Sequence, residues 1–232
     1  MARSIDDDLA LALRLADAAD EISSDAFTGD PLAHELKADG TPVSDTDVAV
    51  ERRIREIVAA ERPADGMLGE EVGQSGPTSR RWIVDGIDGT ILFVAGVRGW
   101  ATQIALEVDG EVVVGVTTCP ADGRRWWATR GGGAWHTVHG GPARRVAVSG
   151  RRDLADGRYS LIPPLDALEP RRRALIDRLD RASAYVPPAE HGALFVADGR
   201  VDACVQLGGG AWDFAALSVV VTEAGGRFSD LA

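Results

Sequence analysis

Apolar residues recur at helical spacing over residues 6–25, where Leu9, Leu13, Ala16 and Ala19 share one face, and this periodicity predicts an amphipathic helix. A Gly/Pro/Asp-rich connection and a polar turn at 38–42 follow. Ser44 then stands as an N-cap before a second helix that runs to about residue 61, with Val50, Ile54 and Ile57 on one face. Arg81 to Asp85 is a short apolar run ending in a carboxylate, the pattern of a buried strand that delivers a ligand at its C-terminal end. Beyond Trp100 the period changes to that of strands. Thr102–Leu106, Val112–Thr118, Arg125–Ala128 and Ala134–Val138 are separated by Asp-Gly and Gly-rich turns, which predicts an antiparallel meander. After residue 150 strands and helices alternate: 159–162 strand, 170–179 helix, 182–186 strand, 192–198 helix, 201–206 strand. A last helix runs from Trp212 to Ala224 and stops at Gly225-Gly226. The pattern reads as α+β over 1–148 and α/β over 149–232, two subdomains of one unit spanning 1–232.

Composition narrows the class. Hydrophobic residues make up 45% of the 232 and charged residues 26%, ordinary for a soluble chain able to bury a core. No apolar run approaches the ~20 residues that span a bilayer, so no membrane partner is expected. The acidic start lacks the apolar core of a signal peptide, and Cys119 and Cys204 fit no Cys-x-x-Cys pattern; a cytoplasmic protein with two free thiols is expected. The formal charge of −11 argues against a nucleic-acid surface. It does not argue against a phosphate substrate, because bound divalent cations reverse the local sign of a carboxylate-lined cleft.

Four acidic patches carry the candidate chemistry: Asp45 and Asp47, Glu70-Glu71, Asp85 with Asp88, and Asp213. Each has an ordinary structural alternative, as a solvated turn, surface charge or a helix cap. Taken together and in this order they suit Mg2+, which prefers oxygen ligands. Asp85 and Asp88 lie three apart across a glycine turn, with the Ile87 carbonyl between them. Gly89-Thr90 would open a short helix whose free N–H groups suit a phosphate. Two metals so held can activate a water without a covalent enzyme intermediate.

These residues resemble a known family. Trp82 to Phe93 (W-I-V-D-G-I-D-G-T-I-L-F) is similar to the W-(I/V)-x-D-P-(I/L)-D-G-T-x-N-F signature of the inositol monophosphatase family. Trp212 to Ala216 (W-D-F-A-A), with Glu223 to Gly226 (E-A-G-G), resembles its second signature. Gly69-Glu70-Glu71 resembles its G-E-E segment, and Lys37 to Asp47 its K-x-D-x-(S/T)-P-V-(S/T)-x-x-D stretch. The resemblance implies a layered αβαβα sandwich and Mg2+-dependent, lithium-sensitive hydrolysis of a small phosphomonoester, with Mn2+ as a substitute ion, in a homodimer. Glu70, Asp85, Thr90 and the Ile87 carbonyl would hold the first metal, and Asp85, Asp88 and Asp213 the second. Glu70 would also orient a third through water. Asp47 and Thr90 would position and deprotonate the attacking water, the amides of Gly89 and Thr90 would grip the phosphate, and Lys37 would steer it.

Val97 to Leu106, Gly123 to Ala128 and Gly133 to Trp135 resemble the histidinol-phosphate phosphatase branch of the family. The substrate side departs from the pattern. Gly86 replaces the signature proline, which is expected to loosen the turn, and Leu92 replaces the signature asparagine. Gln206 replaces a carboxylate that contacts the leaving group, and Glu190-His191-Gly192 replaces a Gly-Asp pair. The chain stops six residues after Gly226, where members continue with another strand and helix. Gln206, Glu190 and His191 are the candidate contacts to the alcohol, His191 having a helix cap as its plainer role. The substrate expected is histidinol phosphate, inositol phosphate or a related metabolite. A specialised-pathway phosphatase and a degenerate metal-binding homologue are the alternatives. A dehalogenase-type D-x-D-G-T loop would need an acid at position 86, where glycine stands. His136 and His139, on a glycine-rich turn, read as exposed turn residues; of Trp126 and Trp127 one should be core and the other partly exposed. Gly131 to Gly133 reads as a hairpin turn.

Overall fold

The computed structural model describes residues 4–29, 34–36, 42–153, 155–188 and 191–230. Helix α1 (Ile5–Thr28) starts in a capping box, in which the Ser4 hydroxyl accepts from the Asp7 amide and the Asp7 carboxylate accepts from the Ser4 amide. A two-stranded ribbon, β1 (His34–Leu36) against β2 (Pro42–Ser44), leads to α2 (Asp45–Glu61), for which Ser44 and Asp47 form a second capping box.

The remaining N-terminal elements build one eight-stranded sheet. They are β3 (Gly66–Gly69), β4 (Gly73–Ser75), β5 (Arg80–Asp88), the short α3 (Thr90–Val94), β6 (Ala101–Val108), β7 (Glu111–Cys119), β8 (Arg124–Thr129), β9 (Gly133–Val138) and β10 (Arg144–Val146). The strand order is β10-β9-β8-β7-β6-β5-β3-β4, antiparallel except where β3 runs parallel to β5. Five elements have no counterpart in the pattern analysis: β1, β2, β3, β4 and β10. Each is three or four residues long, too short to show a period.

A second sheet takes β12 (Ser183–Tyr185), β11 (Gly157–Ile162) and β13 (Ala203–Gln206) in that order, all parallel, with α4 (Pro170–Ala182) packed on it through Ile176 and Leu179. Between the two sheets lie α5 (Gly192–Ala197) and α6 (Ala211–Glu223). Leu11, Leu15, Val50 and Ile54 of α1 and α2 pack on Trp82, Ile104, Leu106 and Val116 of the large sheet. On its other face Leu194, Leu217 and Val220 pack on Ala101, Trp126 and Ala134. The layers therefore run helix, sheet, helix, sheet, helix, the αβαβα order. Helix α6 is apolar on nearly every side because it lies at the interior of this stack. No helix among the described residues is long and apolar enough to cross a membrane.

Candidate metal centre

Strand β5 is buried from Trp82 through Ile87 and pairs with β3 on one side and β6 on the other. Its register with β6 breaks after Asp85, which opposes Gln103, and resumes at Asp88, which opposes Ala101. Such a bulge re-aims the side chains beside it, and here it turns Asp85 and Asp88 toward one place. Asp213 reaches the same place from the first turn of α6, where its Oδ2 accepts from the Gly210 amide at 2.5 Å. Carboxylate oxygens of Asp85, Asp88 and Asp213 all lie within 4.8 Å of one another. Glu70 stands at the edge of this trio: its amide donates to the Val84 carbonyl at 3.3 Å, and its charge bears on Asp85, Asp88 and Asp213 alike.

The electrostatics follow from crowding acids out of water. Burial, then the charges of Asp88, Glu70 and Asp213, push the Asp85 carboxyl well above its ordinary range. Asp88 is pushed up to about 6 by burial and Glu70, against a hydrogen bond from Gln103. Asp213 also reaches about 6, through burial and the Asp88 charge. Asp85 is 1% exposed, and its Oδ1 is buried with no hydrogen-bond donor. Among the described residues no arginine is ion-paired with Asp85, Asp88 or Asp213. Buried carboxylates without a cationic partner are costly. An oxygen-only donor set with this surplus of negative charge fits a hard divalent cation.

Beside the trio, the Asp47 Oδ2 is held by the Ser44 amide at 3.0 Å and the Ser44 hydroxyl at 2.6 Å, which leaves Oδ1 for the Thr90 hydroxyl at 3.2 Å. That hydroxyl also lies 3.0 Å from the Ile87 carbonyl, so Asp47, Thr90 and Ile87 form one cluster at the start of α3. Burial raises the Asp47 carboxyl against these hydrogen bonds. Gly89, at φ 87°, makes the left-handed turn into α3.

Gly86 corrects an expectation. Its turn is tied down, not loosened: the Thr102 hydroxyl donates to its carbonyl at 2.8 Å, and a Cβ at this position would stand 2.8 Å from the Asp47 carbonyl oxygen. A side chain here would crowd the Asp47 backbone of α2.

On the opposite wall His191 caps α5, its Nδ1 accepting from the Ala193 amide at 3.3 Å. The proton of the neutral ring is thereby placed on Nε2, which lies 3.8 Å from Asp88 Oδ2. Burial pulls this imidazole down to about 4, opposed by the Asp213 charge and the facing Gln206 side chain. His191 thus caps a helix and faces the centre at once. Gln206 ends β13 beside it, with its Oε1 buried. Leu92 is 37% exposed on α3. Lys37 and Glu190 lie outside the described residues.

Three contributors escaped the sequence patterns. Gln103 donates to Asp88 Oδ2 at 2.9 Å. Thr102 pins Gly86. The Glu51 carboxylate accepts from the amides of Glu71 and Val72, both at 2.9 Å, and so shapes the turn that carries Glu70. A signal existed for Glu51, which shares the buried face of α2 with Asp47, Val50, Ile54 and Val58. The exposed-turn expectation for His136 is also overturned: it is 3% exposed in β9, stacked 4.3 Å from Trp126, with neither ring nitrogen hydrogen-bonded. Trp126 is fully buried and Trp127 partly so, as alternation on β8 requires.

Comparison with known proteins agrees with this architecture. The model of the inositol monophosphatase family matches residues 5–232. A histidinol-phosphatase of Mycobacterium tuberculosis is 44% identical over 230 residues, covering 97% of this chain and 88% of that protein. A Streptomyces griseus protein named glucose-1-phosphate thymidylyltransferase is likewise 44% identical over 233 residues, covering 97% and 86%. Among solved structures, an inositol monophosphatase from Zymomonas mobilis superposes with a TM-score of 0.82 at 29% identity, over 97% of this chain and 86% of that one.

Proposed function

We propose, from the premise that this chain belongs to the inositol monophosphatase family and is a metal-dependent phosphomonoesterase, that its metal is Mg2+, two or three ions per site, with Mn2+ as a substitute. The observation that carries the assignment is the convergence of Asp85, Asp88 and Asp213 without a cationic partner, one oxygen of Asp85 being buried with no donor. Glu70, Asp85, Thr90 and the Ile87 carbonyl are assigned to one ion, and Asp85, Asp88 and Asp213 to another. Divalent ions held there would offset the charge of the phosphate and lower the pKa of a water enough for it to give up a proton near neutral pH. Asp47 and Thr90 orient that water, and the Asp47 carboxylate takes its proton along the Thr90 hydroxyl. The amides of Gly89 and Thr90 hold the phosphoryl oxygens, with Lys37 steering the anion inward. The metal-facing carboxylates bind the hard cations and give the phosphate a place where its charge is met; the wall of His191 and Gln206 faces the leaving alcohol, and Glu190 is assigned as a further contact to it on the family resemblance.

The substrate proposed first is histidinol phosphate, supported by the relative of that activity. A second reading is a specialised-pathway phosphatase. The neutral Gln206 on the alcohol side supports it, and so does an equally similar relative that bears a different activity name. The homodimer rests on the family resemblance alone, and the cytoplasmic location on the two free thiols, Cys119 and Cys204. A phosphate-release screen over histidinol, inositol, sugar and nucleotide monophosphates, with and without Mg2+ and Li+, decides between the readings. Dominant turnover of histidinol phosphate sinks the second, and no Mg2+-dependent release from any ester sinks both.

A further inference from the structure

Gln103 is fully buried in β6, flanked along the strand by the buried Thr102 and Ile104. It opposes Asp85 across the β5–β6 ladder and Thr117 across the β6–β7 ladder. The Thr117 hydroxyl, also fully buried, donates to Gln103 Oε1 at 2.7 Å. That contact orients the carboxamide so that its Nε2 donates to Asp88 Oδ2 at 2.9 Å. The reverse orientation would set Oε1 against a carboxylate, oxygen to oxygen. The His191 Nε2–H, at 3.8 Å, approaches the same Oδ2 from the far wall. Both groups that face Oδ2 are neutral.

We infer that Gln103 is a positioning residue that sets the metal affinity of the centre. By engaging Asp88 Oδ2 it holds the carboxylate in one rotamer and presents Oδ1 to the cation. A neutral amide does this without subtracting from the negative charge of the trio, whereas a lysine or arginine in its place would compete with the metal. Thr117 acts one step further out by fixing which way the amide points. Partners of this kind orient ligands throughout metalloproteins. The inference rests on the metal assignment proposed above.

The test is Mn2+ binding to the full chain, read as free Mn2+ by electron paramagnetic resonance with no substrate present. Gln103→Leu should weaken binding about 10- to 100-fold, the range seen when an outer partner of a ligand is lost. Thr117→Val keeps the shape and removes only the orienting hydroxyl; it should weaken binding less than Gln103→Leu, and Thr117→Ser should restore it. Melting of the metal-free variants reports packing separately, so an unfolded Gln103→Leu leaves Thr117→Val to decide. Asp88→Asn is the reference. If it loses Mn2+ while both outer variants bind within about twofold of wild type, the role of Gln103 is overturned. If Asp88→Asn itself binds normally, the metal assignment has failed instead.

Discussion

Asp85→Asn should make the metal-free protein more stable while abolishing its response to metal. The carboxylate oxygens of Asp85, Asp88 and Asp213 lie within 4.8 Å. At that separation two unit charges repel by about 3.5 kcal/mol at an effective dielectric of about 20, and Asp85 faces two such neighbours. Protonation offers an escape whose cost is also bounded. Holding a carboxyl of ordinary value 3.8 neutral at pH 8 spans 4.2 units, or about 5.7 kcal/mol at 1.36 kcal/mol per unit. Relaxation and water entry reduce either figure, so the gain on removing the charge is set at roughly 2 kcal/mol, which for a chain of this length raises Tm by about 4–8 °C. Asparagine also supplies two N–H donors to the remaining acids. The assay is thermal unfolding at pH 8 in chelator and again in saturating Mg2+. Wild type at 100 times its Kd should gain about 2.7 kcal/mol from the ion, and the variant nothing. The two proteins therefore exchange rank when metal is added. A metal-free Asp85→Asn that melts below wild type, or one that keeps the full Mg2+ shift, refutes the electrostatic account.

Gly86→Ala drives a methyl to within 2.8 Å of the Asp47 carbonyl. It should lower kcat about 10-fold or more by displacing Asp47 from Thr90, with Mn2+ affinity nearly unchanged; equal losses in both would contradict the separation of roles. Without metal, stability should also fall as pH rises from about 4 to about 6. Unfolded Asp88 and Asp213 release their protons near 3.8, whereas folded they hold them to about 6. Urea unfolding at pH 4.5 and 6.5, with and without Mg2+, checks it: a slope of the same sign and size in both conditions is the adverse result. His136 acts in the opposite direction. Burial pulls its folded value from 6.5 to about 4, so the unfolded chain binds the proton first and stability falls as pH drops through that window, by at most about 1.4 kcal/mol per unit. His136→Phe, which keeps a ring on Trp126, should flatten that acid limb; an equal change at pH 5 and pH 7.5 would assign its effect to packing alone.

Local physics made much of this molecule legible in its sequence. Helices α1 and α2 announce themselves by apolar periodicity, and Ser44 caps α2 where the pattern places it. The meander from β6 to β9 shows in two-residue alternation, punctuated by glycine turns. The acids at 70, 85, 88 and 213 were recognisable as a set because their spacing matched a family, not because any one of them differs locally from an ordinary cap or turn.

What only the tertiary structure decided are the relations across elements. The bulge between Asp85 and Asp88, the seating of α6 that carries Asp213 to them, and the pairing of Gln103 with Asp88 all depend on strand register and layer packing. The partners of Glu51 appear only when the turn after β3 folds over it, and His136 looks like a turn residue until Trp126 covers it. Gly86 reads in the sequence as a loosened turn, whereas in the fold Thr102 holds its carbonyl and a Cβ would meet the Asp47 backbone. Periodicity and caps are properties of neighbours along the chain and can be read there. Desolvation, like-charge crowding and close approach are properties of neighbours in space, and they acquire values only once the layers have closed.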